Sequence, residues 1–283
     1  MKMFSIRFKE NFIRELKKNK LGIFALVCLI LIIILSVFAF LTPYNPDTID
    51  MSNQFISPNL KNIFGTDELG RDYFTRALYG ARISLIVGVL SMMVSIFIGT
   101  LVGAISGLLG GKVDAIIMRI IDMLMSIPLF FLLLIVNSYL RPSIANIIII
   151  IGIFGWMSIA RIVRSETLSI KERDYILCSK ALGSNNIKIV KTHIIPNAIS
   201  TVIVAASINI ADAILMESSL SFLGLGVQQP MASLGSMLQT AQARIGDKTY
   251  LAIFPGLMIL LIVLSFNVLG DILRVALDPS QGE

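Results

Sequence analysis

ARIVRSETLSIKERDYILCSKALGSNNIKIVKTHIIP, residues 160–196, is a charged island between two long apolar segments. Polar links between membrane spans are usually short and irregular, but this one is patterned. Ser165–Leu182 reads as a helix that places Asp174 and Tyr175 one turn ahead of Cys178 and Ser179. Gly183 stands where a left-handed residue ends a helix cheaply. Ser184 is then placed to cap a second short helix, Asn185–His193, which should stop before Pro196 because proline disfavours helix in the residue ahead of it. The small residues Cys178, Ser179 and Ala181 would let another protein's surface approach closely. Two readings stay open on the pattern alone: a docking element gripped by a soluble partner, or a plain extension of the flanking spans.

Outward from the island, the chain is apolar. Hydrophobic residues make up 55% of 283 and charged residues 15%, with a mean hydropathy of +0.83. A soluble domain has roughly 25% charged residues. The apolar residues fall in blocks of about 20, the length a helix needs to cross a hydrocarbon core of ~30 Å. The expectation is therefore an all-α integral membrane protein with about six transmembrane helices. They read as Leu21–Leu41, Ser84–Leu109, Ile121–Leu140, Ile144–Ile162, Ile199–Phe222 and Leu251–Leu273. The first is too long for the core of a cleaved signal peptide and lacks small residues at its end, so it reads as an uncleaved helix.

An even number of spans puts both termini on one side, and basic residues decide which. Counting the amino tail, the island, the link after the second span and the carboxyl tail, one face holds 17 Lys and Arg against seven on the other. Both termini and the island are thus expected in the cytoplasm. The organisation follows: a cytoplasmic tail over 1–20, a first span over 21–41, an extracytoplasmic loop over 42–82, a core over 83–273 enclosing the loop 164–196, and a tail over 274–283. In the amino tail Phe4, Phe8, Phe12 and Leu16 recur every four residues among Lys and Arg, a pattern suited to lying on a bilayer surface. The net charge of +6 calls for no nucleic acid.

Several chemistries find no support. There is no G-x-x-x-x-G-K-[ST] phosphate loop, no G-x-S-x-G and no H-E-x-x-H. Cys28 and Cys178 are not placed to pair, and His193 has no second ligand at a metal-like spacing, so no metal site is expected. Acids inside spans are costly, about 2.5–3.5 kcal/mol at mid-helix for aspartate, so Asp122, Asp212 and Glu217 should face protein or water. Asp212 and Glu217, with Ser218, are candidates for the translocation pathway; the competing role is a hydrogen bond between helices. Asp122 is expected to pair with Arg119. Asp67, Arg71 and Asp72 either lock the outer loop or meet a binding protein. Pro128 should kink the third span, and Gly224 and Gly226 let the fifth bend at its outer end.

Residues 174–197, DYILCSKALGSNNIKIVKTHIIPN, resemble the "EAA" loop of bacterial ATP-binding-cassette importer permeases. Ser179, Gly183 and Pro196 fall in register, with Cys178 in the first small position and Leu177 where the motif is acidic. FGTDELGRD at 64–72, the Asp114, Met118, Arg119, Asp122 and Pro128 pattern, ESSLSFLGLG at 217–226, FPGL at 254–257 and FNVLGDILRVALDP at 266–279 resemble the peptide and nickel branch, and within it the second, "C-type" permease. The resemblance implies type I importer permease architecture, a second paralogous permease, two cytoplasmic ATPases that carry ATP and Mg, and an extracytoplasmic solute-binding protein, with the lipid bilayer as surroundings. It implies no cofactor on this chain and no enzymatic activity of its own. It casts Asp174, Tyr175, Cys178, Ser179, Ala181, Leu182, Gly183 and Pro196 as the surface that couples to an ATPase, for uptake of di- or oligopeptides or nickel and metal chelates. A stand-alone secondary carrier or channel and a scaffold that recruits a cytoplasmic enzyme are the alternatives.

The topology is directly testable. A cysteine introduced at Asn186 should label only from the cytoplasmic side and one at Asn59 only from outside; reversed labelling overturns the charge argument.

Overall fold

The computed structural model describes residues Lys2–Leu277; residue 1, residues 278–283 and the side chains of residues 2–7 and 9, Phe4 among them, lie outside the described residues. The fold is helical throughout, with one isolated antiparallel bridge, Thr66 to Asp72, in the outer loop. The helices are α1 (Lys2–Lys18), α2 (Lys20–Val37), α3 (Tyr73–Leu109), α4 (Gly111–Met125), α5 (Leu129–Ser138), α6 (Ile144–Lys171), α7 (Asp174–Ala181), α8 (Asn186–Ile189), α9 (Ile195–Phe222), α10 (Leu234–Ala241) and α11 (Tyr250–Leu277). Among the described residues five helical runs are long and apolar enough to span a bilayer, and counting the bent α4–α5 pair as one broken span brings the number to six.

Helix α3 is the axis of the bundle, packed against α6 on one side and α9 on another, while α11 joins α9 to α2. The sequence of α3 explains the first contact. Ser91, Ser95, Gly99, Gly103 and Gly107 recur every fourth residue, forming a stripe of small side chains that is buried along its length. Such a stripe lets two helix backbones approach closely in a bilayer, where apolar side chains gain nothing by leaving lipid. The approach is near contact: a Cβ on Gly99 would lie 2.7 Å from that of Ile159, and one on Gly103 would strike the Ala160 carbonyl oxygen. The serines add hydrogen bonds, Ser91 Oγ to the Ile148 carbonyl at 3.2 Å and Ser95 Oγ to that of Gly152 at 3.0 Å. Side chains on the outside of the bundle, such as Phe24, Val27, Phe97 and Leu260, are exposed, as lipid contact requires.

Four expectations need correction. The third span does not merely kink at Pro128 but breaks there, with α4 and α5 bent by 79°. Proline removes a donor and clashes with the preceding turn, and the carbonyls of Ser126 and Ile127 accept no backbone bond. The helix expected over Ser165–Leu182 is two: α6 runs unbroken through Ile162 to Lys171, and α7 begins at Asp174. Ile170 and Ile176 are both fully buried in one cluster. Six residues apart, an unbroken helix would turn them about 240° from each other, so the extended Arg173 resets the face. Asn185, not Ser184, caps the next helix, accepting from the Lys188 amide at 2.8 Å.

Nor does that helix stop before Pro196. A π turn over Val190–Ile194 carries it into α9, with Pro196 in the first turn. The Ile195 amide reaches back to the Val190 carbonyl, the longer repeat that lets a helix absorb a disruption. At the amino end, Asn19 caps α2 through the Gly22 amide at 3.1 Å. Leu16 of α1 packs against the core beside α11, so this part of the stripe expected on the bilayer meets protein.

The α3–α6 seam should be intolerant of bulk. Gly103→Val should destabilise the detergent-solubilised protein by about 3 kcal/mol, the upper part of the overpacking range, because backbone rather than a movable side chain opposes it. Gly246→Ala, with open space around it, should leave the melting temperature unchanged.

Candidate functional site

On the end of the bundle that the basic residues assign to the cytoplasm, α7 is mounted on the ends of α3 and α6. Ile176 is its only buried residue and joins Ile170, Ile189, Ile194 and Leu108 in one apolar cluster. Tyr175, Leu177 and Leu182 project away from that cluster and are exposed, as is Ile187 just beyond, Leu182 to 87%. Cys178 and Ala181 are also exposed, Asp174 opens the helix, and Ser179 is half-buried. Tyr175 faces His193 of the π turn, ring centres 5.8 Å apart.

The turn after α7 is built from backbone. Gly183 has φ +81°. Its amide donates to Lys180 O at 2.9 Å while the Ser184 amide donates to Ser179 O at 3.1 Å, the paired bonds of a Schellman motif. Nothing in the chain lies within 4 Å of where a Gly183 side chain would start. Glycine is required here for conformation and not for internal packing. Pro196 is exposed on the first turn of α9, apart from the α7 face.

Under this element sits a clamp that the spacing of residues did not disclose. Arg164 on α6 makes a two-pronged pair with Asp114 on α4, at 2.5 and 2.6 Å, and Ser106 of α3 donates to the same carboxylate at 2.5 Å. Paired, planar guanidinium–carboxylate contacts are the strong, geometrically specific kind. Lys171 reaches the Gly107 carbonyl at 3.1 Å. Asp122 pairs with Arg161 of α6 and not with Arg119, which corrects the local pairing expected from sequence.

At the opposite end, Asp67, Arg71 and Asp72 are all buried. Asp67 accepts from the Arg71 side chain at 2.7 Å and from the Leu69 and Arg71 amides, and Arg76 lies 3.5 Å from it. Asp72 caps α3 through the Thr75 amide at 2.8 Å and accepts from Asn62 at 2.9 Å. The loop is tied to α11 by Phe64 stacked on Phe254, Tyr73 Oη to the Leu251 carbonyl and Tyr250 Oη to that of Thr66. Between loop and α10 lies a polar cavity of about 330 Å³ that Arg71, Arg76, Gln228 and Gln239 help line.

The candidate pathway residues separate. Glu217 is fully buried on α9, accepting from Ser84 of α3 and from Ser221 at 2.7 Å each, while Ser84 Oγ also receives the Leu234 amide of α10 at 3.4 Å. It joins three helices, and Ser218 is buried beside it. Asp212, five residues earlier, is instead exposed in a groove between the α4–α5 break, α6 and α9. Among the described residues no group of three His, Cys, Asp or Glu gathers as metal ligands, and Cys28 and Cys178 are free thiols.

Comparison with known proteins fits this arrangement. Residues 99–282 match the family described as binding-protein-dependent transport system inner membrane component. Residues 8–60 match the N-terminal TM domain of oligopeptide transport permease C. The dipeptide transport system permease protein DppC of Bacillus subtilis is 39% identical over 97% of this chain and 87% of its own length. The glutathione transport system permease protein GsiD of Escherichia coli O157:H7 is 41% identical over 95% and 89%. The oligopeptide transport system permease protein OppC of Bacillus subtilis is 37% identical over 93% and 87%. The chain belongs to the binding-protein-dependent transport system inner membrane components, as a multi-span, C-type permease subunit of an ATP-binding-cassette importer and not an enzyme.

Proposed function

We propose that this permease, with a second paralogous permease, forms the pathway for import of short peptides, driven by ATP hydrolysed with Mg on two cytoplasmic ATPases and supplied by an extracytoplasmic binding protein. The relatives above are named for a dipeptide, an oligopeptide and glutathione, itself a tripeptide, and none of these names mentions nickel. That favours peptides over metal chelates. The coupling face is α7 with its glycine turn. The observation that carries it is an apolar surface pointing away from the chain's own core, with Leu182 almost fully exposed at its tip.

Exposed apolar clusters on an otherwise polar end mark partner surfaces. The mounting supports the same reading. Ile176 holds α7 to the ends of α3 and α6, and the Arg164–Asp114 pair fixes those ends to α4, so a push on α7 is delivered to several spans together. Closure of the ATPases would then bias a two-state membrane domain through differential contact. A stand-alone carrier is less well supported: such carriers pair broken helices in corresponding halves of the chain, and the described residues contain one broken span.

Gly183→Arg tests coupling. Its side chain meets nothing within the chain, so the folded permease should persist, apart from the cost of a left-handed residue, about 1–2 kcal/mol. ATP-driven uptake by the reconstituted complex should fall at least tenfold, and the ATPase should no longer co-purify. Normal assembly and uptake in that variant would remove α7 from the coupling role.

A further inference from the structure

We propose that Asp212, with Asn209, forms a subsite in the membrane interior that takes the ammonium group of a translocating peptide. The inference rests on the peptide reading above and assigns it a contact.

Asp212 lies ten residues before the end of α9 at Phe222, about 15 Å along the axis and so near the middle of a ~30 Å hydrocarbon core. A carboxylate at that depth needs water or a partner. None of the cations among the described residues pairs with it. It is exposed, in a groove of about 350 Å³ that Ile127, Pro128, Phe154, Ser158 and Asn209 also line.

The groove carries a second, independent sign that it is not lipid-filled. It is bounded by the 79° break between α4 and α5, and the Ile127 carbonyl there accepts no backbone bond. Broken backbone at membrane depth is tolerated only where protein covers it or it borders a watery cavity. One groove therefore gathers a full negative charge, an amide, a hydroxyl and the residues of a helix break, inside walls that are otherwise apolar. An ammonium offers three donors and no acceptor, which matches a set made mainly of acceptors. Neutral solutes would leave the carboxylate uncompensated, and anions would be repelled. Glu217 cannot play this part, because its two oxygens are taken by serine hydroxyls.

The test uses the whole importer in proteoliposomes, with both permeases, both ATPases and the binding protein, and two probes: trialanine and alanyl-lysyl-alanine, each saturating the binding protein. Asp212→Asn should lower the maximal uptake rate about tenfold, reflecting loss of the charge-assisted part of the contact, and Asp212→Glu should restore most of it. An equal fall for both probes identifies the peptide's α-ammonium; a fall confined to the lysyl peptide identifies its side chain. Wild-type rates with Asp212→Asn overturn the subsite while leaving peptide import standing. Loss of the second permease from the purified Asp212→Asn complex also overturns it, since Asp212 would then pair with a cation across the subunit interface. A wild-type importer that moves neither probe overturns the peptide reading and the subsite with it.

Discussion

The close approach of α3 and α6 is the constraint on which the rest of this fold depends. Five small residues at four-residue spacing bring two backbones to within van der Waals contact, so close that one added methyl meets a carbonyl oxygen. In a bilayer the usual driving force for burial is absent, and shape, dispersion and serine hydrogen bonds must hold helices together. The seam also sets the geometry at both of its ends. At one end it delivers Arg164 to Asp114 and seats Ile176 beside Leu108. Towards the other, Gly152 lies against Val94, leaving α3's outer half free to meet α9 and α10.

The chain manages its buried charge in contrasting ways. Glu217 is held by the hydroxyls of Ser84 on α3 and Ser221 on its own helix and functions as a joint. Asp67 is enclosed by two guanidinium groups and backbone amides, which makes the outer loop a rigid cap over α11. Asp212 is instead exposed in a groove, with no cation paired to it among the described residues. A buried polar group that is fully satisfied specifies structure.

Much of this was legible in the residues. Hydrophobic block length located the spans, and Gly183 announced the turn after α7, because left-handed backbone has a chemical signature that needs no tertiary information. The small-residue stripe on α3 is a simple period of four, yet it went unread until α6 was seen lying along it. What escaped was whatever depends on which faces meet. Asp122 was matched to its sequence neighbour Arg119, and Arg161 came within reach only once α6 was laid beside α4. The break at Arg173 contains neither glycine nor proline; it exists because Ile170 and Ile176 must reach one cluster. Pro196 looked like a stop, but a π turn ahead of it carried the helix through. Asn209 and Ser158 gave no signal, since a lone amide and a lone hydroxyl acquire meaning only from the groove they share with Asp212.

The length of α3 has a consequence for the whole bundle. Its 37 residues extend about 55 Å, some 25 Å more than the hydrocarbon requires. The excess is shared between its ends: at one, Tyr73 donates to the Leu251 carbonyl of α11, and at the other Ser106 donates to Asp114 and Gly107 accepts from Lys171. One unbroken helix thus ties the capped loop directly to the Arg164–Asp114 clamp.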